Sequence, residues 1–146
     1  MHAPMLSAEE LERLLAAEFP QAFNPGSGLT VVNVRHGGCV VRQAFQQRSL
    51  RPGGTISGVT MMGLADVAMY VALLASIGWV PLAVTTNLTI NFLRKPTART
   101  LEAECRLLKL GKRLAVGEVL IRCEGEDDLV AHATSTYSIP PQGHDR

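Results

Sequence analysis

The sequence predicts an α+β fold in which a curved antiparallel sheet wraps around one long apolar helix. Residues 57–78 carry helical start and stop signals, and Asp66 is the only charged residue between Val59 and Trp79. Most of the second half of the chain alternates apolar and polar residues with a period of two, which is typical of half-buried strands. A helix without a polar face has to be covered on every side, and a curled sheet can cover it.

Length and composition indicate one globular domain over residues 1–146, with a core at about 28–139. Apolar residues make up 47% of the chain and charged residues 18%, which argues against disorder. The formal charge is only +1, so the basic excess of a nucleic-acid-binding protein is missing. The three cysteines are widely spaced, which favours buried free thiols over disulfides or a metal site. The N-terminus does not resemble a secretion signal, so a cytoplasmic location is expected.

A short amphipathic helix is predicted at about residues 7–19. Ser7 and Glu10 have the spacing of a reciprocal capping box at a helix start. Leucines on one face follow, and the Asn-Pro-Gly-Ser-Gly stretch at 24–28 ends the pattern. We therefore expect this helix to pack on the domain by its leucine face.

Strands are predicted on both sides of the long helix. The runs 29–35 and 39–46, joined by Gly37-Gly38, predict a hairpin. Four later runs are expected to form a consecutive antiparallel meander. These runs lie at about 88–92, 101–107, 115–123 and 129–139, and a polar tail follows at 142–146.

The long helix begins at Ser57-Gly58 and ends at Gly78, before Pro81. It is long enough to span a bilayer, so a membrane helix is the alternative. An aspartate at the bilayer centre costs about 2.5–3.5 kcal/mol on insertion scales. No second apolar helix is present to shelter that carboxylate, so we expect a core helix and no membrane partner.

Asp66 lies among apolar residues and glycine, and an unpaired buried carboxylate is unfavourable. Two interpretations are open. Asp66 is either a structural residue held by backbone donors of the facing strand, or a catalytic carboxylate at the edge of an apolar pocket.

Several motifs together resemble one protein family over about residues 35–139. They are Arg51–Gly58, Leu64–Asp66, Thr85–Arg94, Gly111–Arg113, Leu129–Ala131 and Tyr137. These segments resemble the PaaI-like, phenylacetate-pathway branch of the hotdog-fold acyl-CoA thioesterases. The resemblance implies a hotdog fold and hydrolysis of acyl-CoA thioesters. No cofactor is expected, since coenzyme A is part of the substrate. No metal is expected either, because thioester hydrolysis needs only a base or nucleophile and stabilisation of the charge on the carbonyl oxygen.

The resemblance also implies roles for particular residues. Asp66 takes the place of the aspartate that activates water or attacks the thioester carbonyl, and the Gly58 N–H that of the oxyanion donor. Thr85 occupies the position of a hydroxyl that orients the water. Residues expected to contact the substrate are Arg51, Gly54, Ser57, Met62, Thr86, Lys112 and Arg113. From the residue types alone, the basic turn Lys112-Arg113 and the pair Arg94-Lys95 either hold coenzyme A phosphates or are merely solvated, and Met62 either shapes the acyl pocket or fills the core.

The chain departs from the family pattern before the helix. Arg51 replaces an asparagine, Ser57 a histidine and Val59 a glycine. Arg51 is either a surface residue that braces its loop or a site residue that binds an acyl carboxylate or a coenzyme A phosphate. These departures favour one alternative function, a non-catalytic acyl-CoA-binding or regulatory protein. A hotdog dehydratase is a second alternative, but the histidine it pairs with the aspartate is not in place.

Helix geometry predicts a shared site. Gly58 and Asp66 are eight residues apart, which is about 12 Å along a helix. One helix therefore cannot bring both groups to one thioester carbon, whereas two helices side by side in a two-fold dimer can. The resemblance implies the same homodimer, paired into a homotetramer.

Overall fold

The computed structural model describes residues 2–141; the predicted tail at 142–146 lies outside the described residues. Within this range, two α-helices, eight strands and one short 3-10 turn (Gln47–Ser49) make up the fold. The helices are α1 (Ala8–Glu18) and α2 (Gly58–Ile77). The strands are β1 (Leu29–Arg35), β2 (Gly38–Gln43), β3 (Leu50–Arg51), β4 (Thr55–Ile56), β5 (Val84–Phe92), β6 (Leu101–Leu110), β7 (Leu114–Cys123) and β8 (Leu129–Ser138).

Six of the strands form one antiparallel sheet with the order β1-β2-β6-β7-β8-β5, and α2 packs against it. The two short strands β3 and β4 pair separately, in the segment that leads into α2. The predicted architecture, an antiparallel sheet around one long apolar helix with a short N-terminal helix, is confirmed.

The predicted four-strand meander is wrong for β5. Tight turns join β6, β7 and β8, which are neighbours in the sheet, but β5 pairs with β8 and forms the far edge. Residues 93–100 connect β5 to β6, and this segment is too long to act as a hairpin turn. Periodicity identifies strands, but it does not identify their partners when the connection is long.

The first helix is held as predicted. Ser7 Oγ accepts the Glu10 N–H at 3.1 Å, and the Glu10 carboxylate accepts the Ser7 N–H at 2.9 Å. The helix is one residue shorter at each end than predicted, because both flanking residues are caps. Leu11 and Leu15 are fully buried, so α1 is packed onto the domain by its leucine face.

The long helix is enclosed over only part of its length. Every residue from 68 to 76 is buried, whereas Val59, Met62 and Gly63 are exposed. Asp66 and Val67 are half-buried on the same side. Although α2 is long and apolar enough to cross a membrane, 61% of its most apolar 18-residue window is buried within the fold, as in a core helix. The first half of α2 therefore presents an apolar face that residues 2–141 leave uncovered.

The cysteines are free and buried, as predicted: Cys39, Cys105 and Cys123 form no disulfide within residues 2–141. Burial raises the pKa of the Cys105 thiol to about 12. Burial also raises the pKa of Cys39 well above its ordinary value, and its thiol donates to the Ala68 carbonyl at 3.1 Å. Both thiols are therefore neutral at physiological pH.

Candidate active site

Two hydroxyl groups hold the Asp66 carboxylate. Thr85 Oγ1 donates to Asp66 Oδ1 at 2.6 Å, and the Tyr137 hydroxyl donates to the same oxygen at 3.0 Å. The Tyr137 hydroxyl also lies 3.3 Å from the Asp66 carbonyl oxygen. The structural interpretation of Asp66 predicted hydrogen bonds from backbone N–H groups of a facing strand. The observed donors are instead side-chain hydroxyls, one from β5 and one from β8.

The register of the sheet brings the two donors together. Thr85 on β5 lies opposite Tyr137 on β8, although 52 residues separate them in the chain. A bulge between Thr85 and Asn87 interrupts the ladder at this point, and such bulges re-aim neighbouring side chains. Burial raises the pKa of Tyr137 well above its ordinary value, so its hydroxyl stays protonated and remains a donor.

Asp66 and Thr85 border a cavity of about 710 Å³. Most of the lining is apolar or aromatic, and it includes Phe19, Tyr70, Trp79, Leu82 and Val84. Among the described residues, Glu18 is the only other carboxylate on the wall. The arrangement places one ionisable carboxylate at an apolar pocket of ligand size.

Gly58 lies in a different cleft of about 440 Å³. Its N–H is the first of α2, where amide groups lack helical partners and the helix dipole is positive. A Cβ atom at this position would lie 3.1 Å from the Phe92 ring, so only glycine fits without a shift of that ring. The amide is therefore positioned to hold an anion or a developing oxyanion.

The Gly58 cleft is positively charged, because Arg51, Arg94 and Lys95 line it and no acidic residue in the described part of the chain does. Arg94 pairs with Asp128 at 2.5 Å. Within residues 2–141, Arg51 and Lys95 make no ion pair and are exposed. Two cations are thus available to an anionic ligand beside the Gly58 amide.

Gly54 and Ser57 shape the backbone segment that leads into α2. The Gly54 N–H donates to the Arg51 carbonyl at 3.0 Å, in a turn that gives Gly54 a φ of +77°. Ser57 caps the helix, since its Oγ accepts the Thr60 N–H at 3.2 Å. Neither residue lines either cavity, so the structure gives both a backbone role next to the Gly58 cleft.

The other expected substrate contacts lie outside both cavities of the protomer. Met62 is on the exposed face of α2, and Thr86 Oγ1 donates to the Thr136 carbonyl at 3.2 Å. Lys112 and Arg113 form the exposed turn between β6 and β7. The structure therefore brings Asp66 to Thr85 and Gly58 to Arg51, but it does not bring these two groups together in one protomer.

Sequence reasoning assigned no role to Tyr137, although the residue belongs to one of the matching motifs. The signal in the sequence is the period of two along β8, which puts Tyr137 on the same face as Ala131, Ala133 and Ser135. In the structure this is the buried face that meets α2. The aromatic wall of the Asp66 cavity was also missed, because Phe19 and Trp79 come from separate segments that flank α1 and α2.

Comparison with known proteins identifies the family. A family model described as the Thioesterase superfamily matches residues 53–130, a span that includes Gly58, Asp66 and Thr85.

Similar proteins agree with this match. A crystal structure from Silicibacter sp. TM1040, of a protein assigned as a thioesterase, is 43% identical, covers 94% of each chain and has a TM-score of 0.85. A variant of the phenylacetic acid degradation protein PaaI from Thermus thermophilus is 27% identical over 83% of this chain and 97% of that one, with a TM-score of 0.71. A protein from Saccharolobus solfataricus assigned as an esterase is 29% identical over 136 residues, which is 93% of this chain and 87% of the relative. The chain therefore belongs to the thioesterase superfamily, as a thioester hydrolase of the hotdog fold with PaaI-type structural relatives.

Proposed function

We propose that this enzyme hydrolyses acyl-CoA thioesters in sites shared by two protomers. Asp66 of one protomer and the Gly58 amide of a two-fold partner act on the same thioester. The observation that carries this proposal is the separation of the two groups, since each borders its own cavity in the single protomer.

The chemistry divides between the two halves of the site. The Asp66 carboxylate either takes a proton from the attacking water or attacks the carbonyl carbon itself, and the Thr85 hydroxyl holds it in place. The Gly58 amide binds the oxygen as it gains negative charge. On the general-base route, the C–S bond breaks and the proton taken by Asp66 passes to the sulfur, so the products are the free acid and the coenzyme A thiol. On the nucleophilic route, breaking the C–S bond leaves the acyl group on Asp66 as an anhydride; water then hydrolyses it, which releases the acid, restores Asp66 and supplies the proton for the thiolate.

The two cavities match the two parts of such a substrate. The apolar cavity beside Asp66 suits a neutral, apolar acyl group. The cleft beside Gly58 carries Arg51 and Lys95, which suit the phosphates of coenzyme A. In a shared site, the acyl group enters the cavity of one protomer while the coenzyme A part contacts the cleft of its partner.

The exposed apolar surface supports the dimer. Val59 is 79% exposed on α2, and Met62 and Gly63 continue the same face toward Asp66. The edge strand β5 is exposed along most of its length, including Val84 and Phe92. An apolar helix face beside an open sheet edge is suited to pairing with a second copy. We propose a homodimer formed here and a homotetramer built from two dimers.

Subunit mixing tests the shared site directly. Asp66→Asn removes the carboxylate, and Gly58→Pro removes the amide hydrogen at the first helical position, where proline is well tolerated. Ser57 has φ −70° and ψ 153°, a conformation compatible with a following proline. Each variant alone should be inactive. Their mixed dimer should contain one intact site, so refolding them together should restore about a quarter of wild-type activity.

Gly58→Ala is the matched control, because it adds the same Cβ near Phe92 but keeps the N–H. It should retain more activity than Gly58→Pro. If the refolded mixture forms mixed dimers and stays inactive, both groups act from the same protomer and the shared-site proposal is wrong. If Gly58→Pro keeps full activity, the oxyanion role of that amide is wrong.

A further inference from the structure

We propose that Tyr137 is a positioning residue that, together with Thr85, fixes Asp66 through Oδ1 and leaves Oδ2 as the reacting oxygen. This inference rests on the proposed role of Asp66 in hydrolysis. It adds a residue from β8 to the site and assigns separate tasks to the two carboxylate oxygens.

The two donors converge on one atom. Thr85 Oγ1 lies 2.6 Å from Asp66 Oδ1, and the Tyr137 hydroxyl lies 3.0 Å from it. Hydrogen bonds to an ionised oxygen are stronger than bonds between neutral groups. Two such bonds from different strands restrict rotation of the carboxylate about its own axis.

The second oxygen is left available. Among residues 2–141, Asp66 Oδ2 has no hydrogen-bond partner, whereas Oδ1 has two. Asp66 borders the apolar cavity and is only half-buried, so a water or a thioester can reach it. The free oxygen is therefore the one that can take a proton or attack the carbonyl carbon.

Tyr137 is well placed to act as a fixed donor. Its side chain is only 3% exposed and stacks on Tyr70 with ring centres 6.0 Å apart. Its hydroxyl also lies 3.3 Å from the Asp66 carbonyl, so it contacts both the side chain and the main chain of the same residue. Tyr70 is occupied elsewhere, since its hydroxyl donates to the Pro81 carbonyl at 2.8 Å.

The test is Tyr137→Phe, which removes the hydroxyl and keeps the ring that packs on Tyr70. We expect kcat to fall roughly ten- to hundredfold, the effect of losing a hydrogen bond to a charged group, with KM unchanged. Thr85→Val should give a loss of similar size. Because each single variant keeps one donor on Oδ1, the double variant should lose more than the product of the two single losses.

Ser135→Ala is the matched control. Ser135 is 1% exposed on the same inward face of β8, and its hydroxyl has no hydrogen-bond partner within the described residues. Its removal should leave kcat and KM unchanged. A merely structural role for the Tyr137 hydroxyl would lower the midpoint of thermal unfolding without changing kcat at temperatures where the protein is folded.

Asp66→Asn separates this inference from the proposed function. If Asp66→Asn is inactive but Tyr137→Phe keeps kcat within about twofold of the wild type, the positioning role is wrong and the proposed function stands. If Asp66→Asn is active, the proposed function is wrong, and the positioning role is overturned with it. A double variant whose loss equals the product of the single losses would overturn the joint action on Oδ1.

Discussion

Thr85 Oγ1 lies 2.6 Å from Asp66 Oδ1, and this contact links the edge strand of the sheet to the central helix. It gives the carboxylate a partner without enclosing it. A structural aspartate enclosed in the core would need hydrogen-bond donors for both oxygens, whereas Asp66 is only half-buried. Asp66 has two donors on one oxygen, none on the other among residues 2–141, and an apolar cavity beside it. This arrangement favours the catalytic interpretation over the structural one.

Asp66→Asn should abolish hydrolysis of every acyl-CoA that the wild type accepts. Loss of a general base alone lowers rates by ~10²–10⁴, and loss of a nucleophile removes the covalent route. Folding should survive, because the amide oxygen can still accept from Thr85 and Tyr137. Release of free coenzyme A thiol, measured across a panel of acyl-CoAs, is the assay.

The control is Asp127→Asn, which makes the same change at an exposed loop position. It should hydrolyse the panel at the wild-type rate. If the Asp66 variant keeps most of its thiol-release rate, Asp66 is structural and the proposed mechanism fails.

Arg51→Ala should raise KM for all acyl-CoAs alike and leave kcat nearly unchanged. Arg51 borders the Gly58 cleft together with Lys95, which favours a phosphate of coenzyme A over an acyl carboxylate as its partner. Loss of one charge-assisted hydrogen bond corresponds to a rise of roughly tenfold or more. Added salt should weaken substrate binding to the wild type more than to the variant.

Arg13→Ala, on the exposed face of α1, is the control for loss of one positive charge and should leave KM unchanged. Two other outcomes would show that Arg51 does not bind a phosphate of coenzyme A. A selective loss of preference for dicarboxylyl-CoAs would assign Arg51 to the acyl end. Unchanged kinetics with a lower unfolding midpoint would make it a brace of the β3–β4 loop.

The sequence predicts the ends of both helices well, because their signals are local. Ser7 and Ser57 cap the helices that follow them, and Gly78 ends α2 with a φ of +97°. The position of β5 could not be predicted, since its pairing with β8 depends on a long connection rather than on a turn.

The same contrast between local signals and long-range contacts applies to the active site. Asp66 is conspicuous in sequence because it interrupts an apolar helix. Its contact with Tyr137 bridges 71 residues, and only the register of β5 on β8 creates it. Ser57 shows the converse: its place in the matching motif suggested a substrate contact, while its local hydrogen bond is that of a helix cap.

Stability should fall at alkaline pH. Burial raises the pKa of Cys105 from its ordinary value of 9.0 to about 12, so the unfolded chain loses this proton at lower pH than the folded protein. The contribution of the protonated Cys105 thiol to the free energy of unfolding is therefore complete below about pH 9 and is lost as the pH rises toward 12. Cys39 and Tyr137, whose pKa values are also raised, act in the same direction.

Urea unfolding at pH 8 and pH 10 measures this effect. The free energy of unfolding should be lower at pH 10, with Cys105 alone contributing roughly 1 kcal/mol. Cys105→Ala should show a smaller difference between the two pH values. An unchanged difference in that variant would mean that the Cys105 thiol does not contribute.

Gly63→Leu should block dimer formation while leaving the protomer folded. Gly63 lies on the exposed face of α2 between Val59 and Asp66, and a Cβ there meets no atom within 4 Å in the described protomer. Leucine favours helix by up to about 1 kcal/mol over glycine, so thermal stability of the protomer should not fall. In the proposed dimer, however, a partner helix packed side by side would need the space that the leucine fills. Sedimentation at assay concentration should therefore show a monomer, and this is the diagnostic measurement, because Gly63 also borders the Asp66 cavity and a leucine there can lower thiol release without affecting assembly. Gly63→Ala adds only one methyl group and should retain more of both the dimer and the activity. An active monomer, or an active Gly63→Leu dimer, would show that the face around Gly63 does not form the shared site.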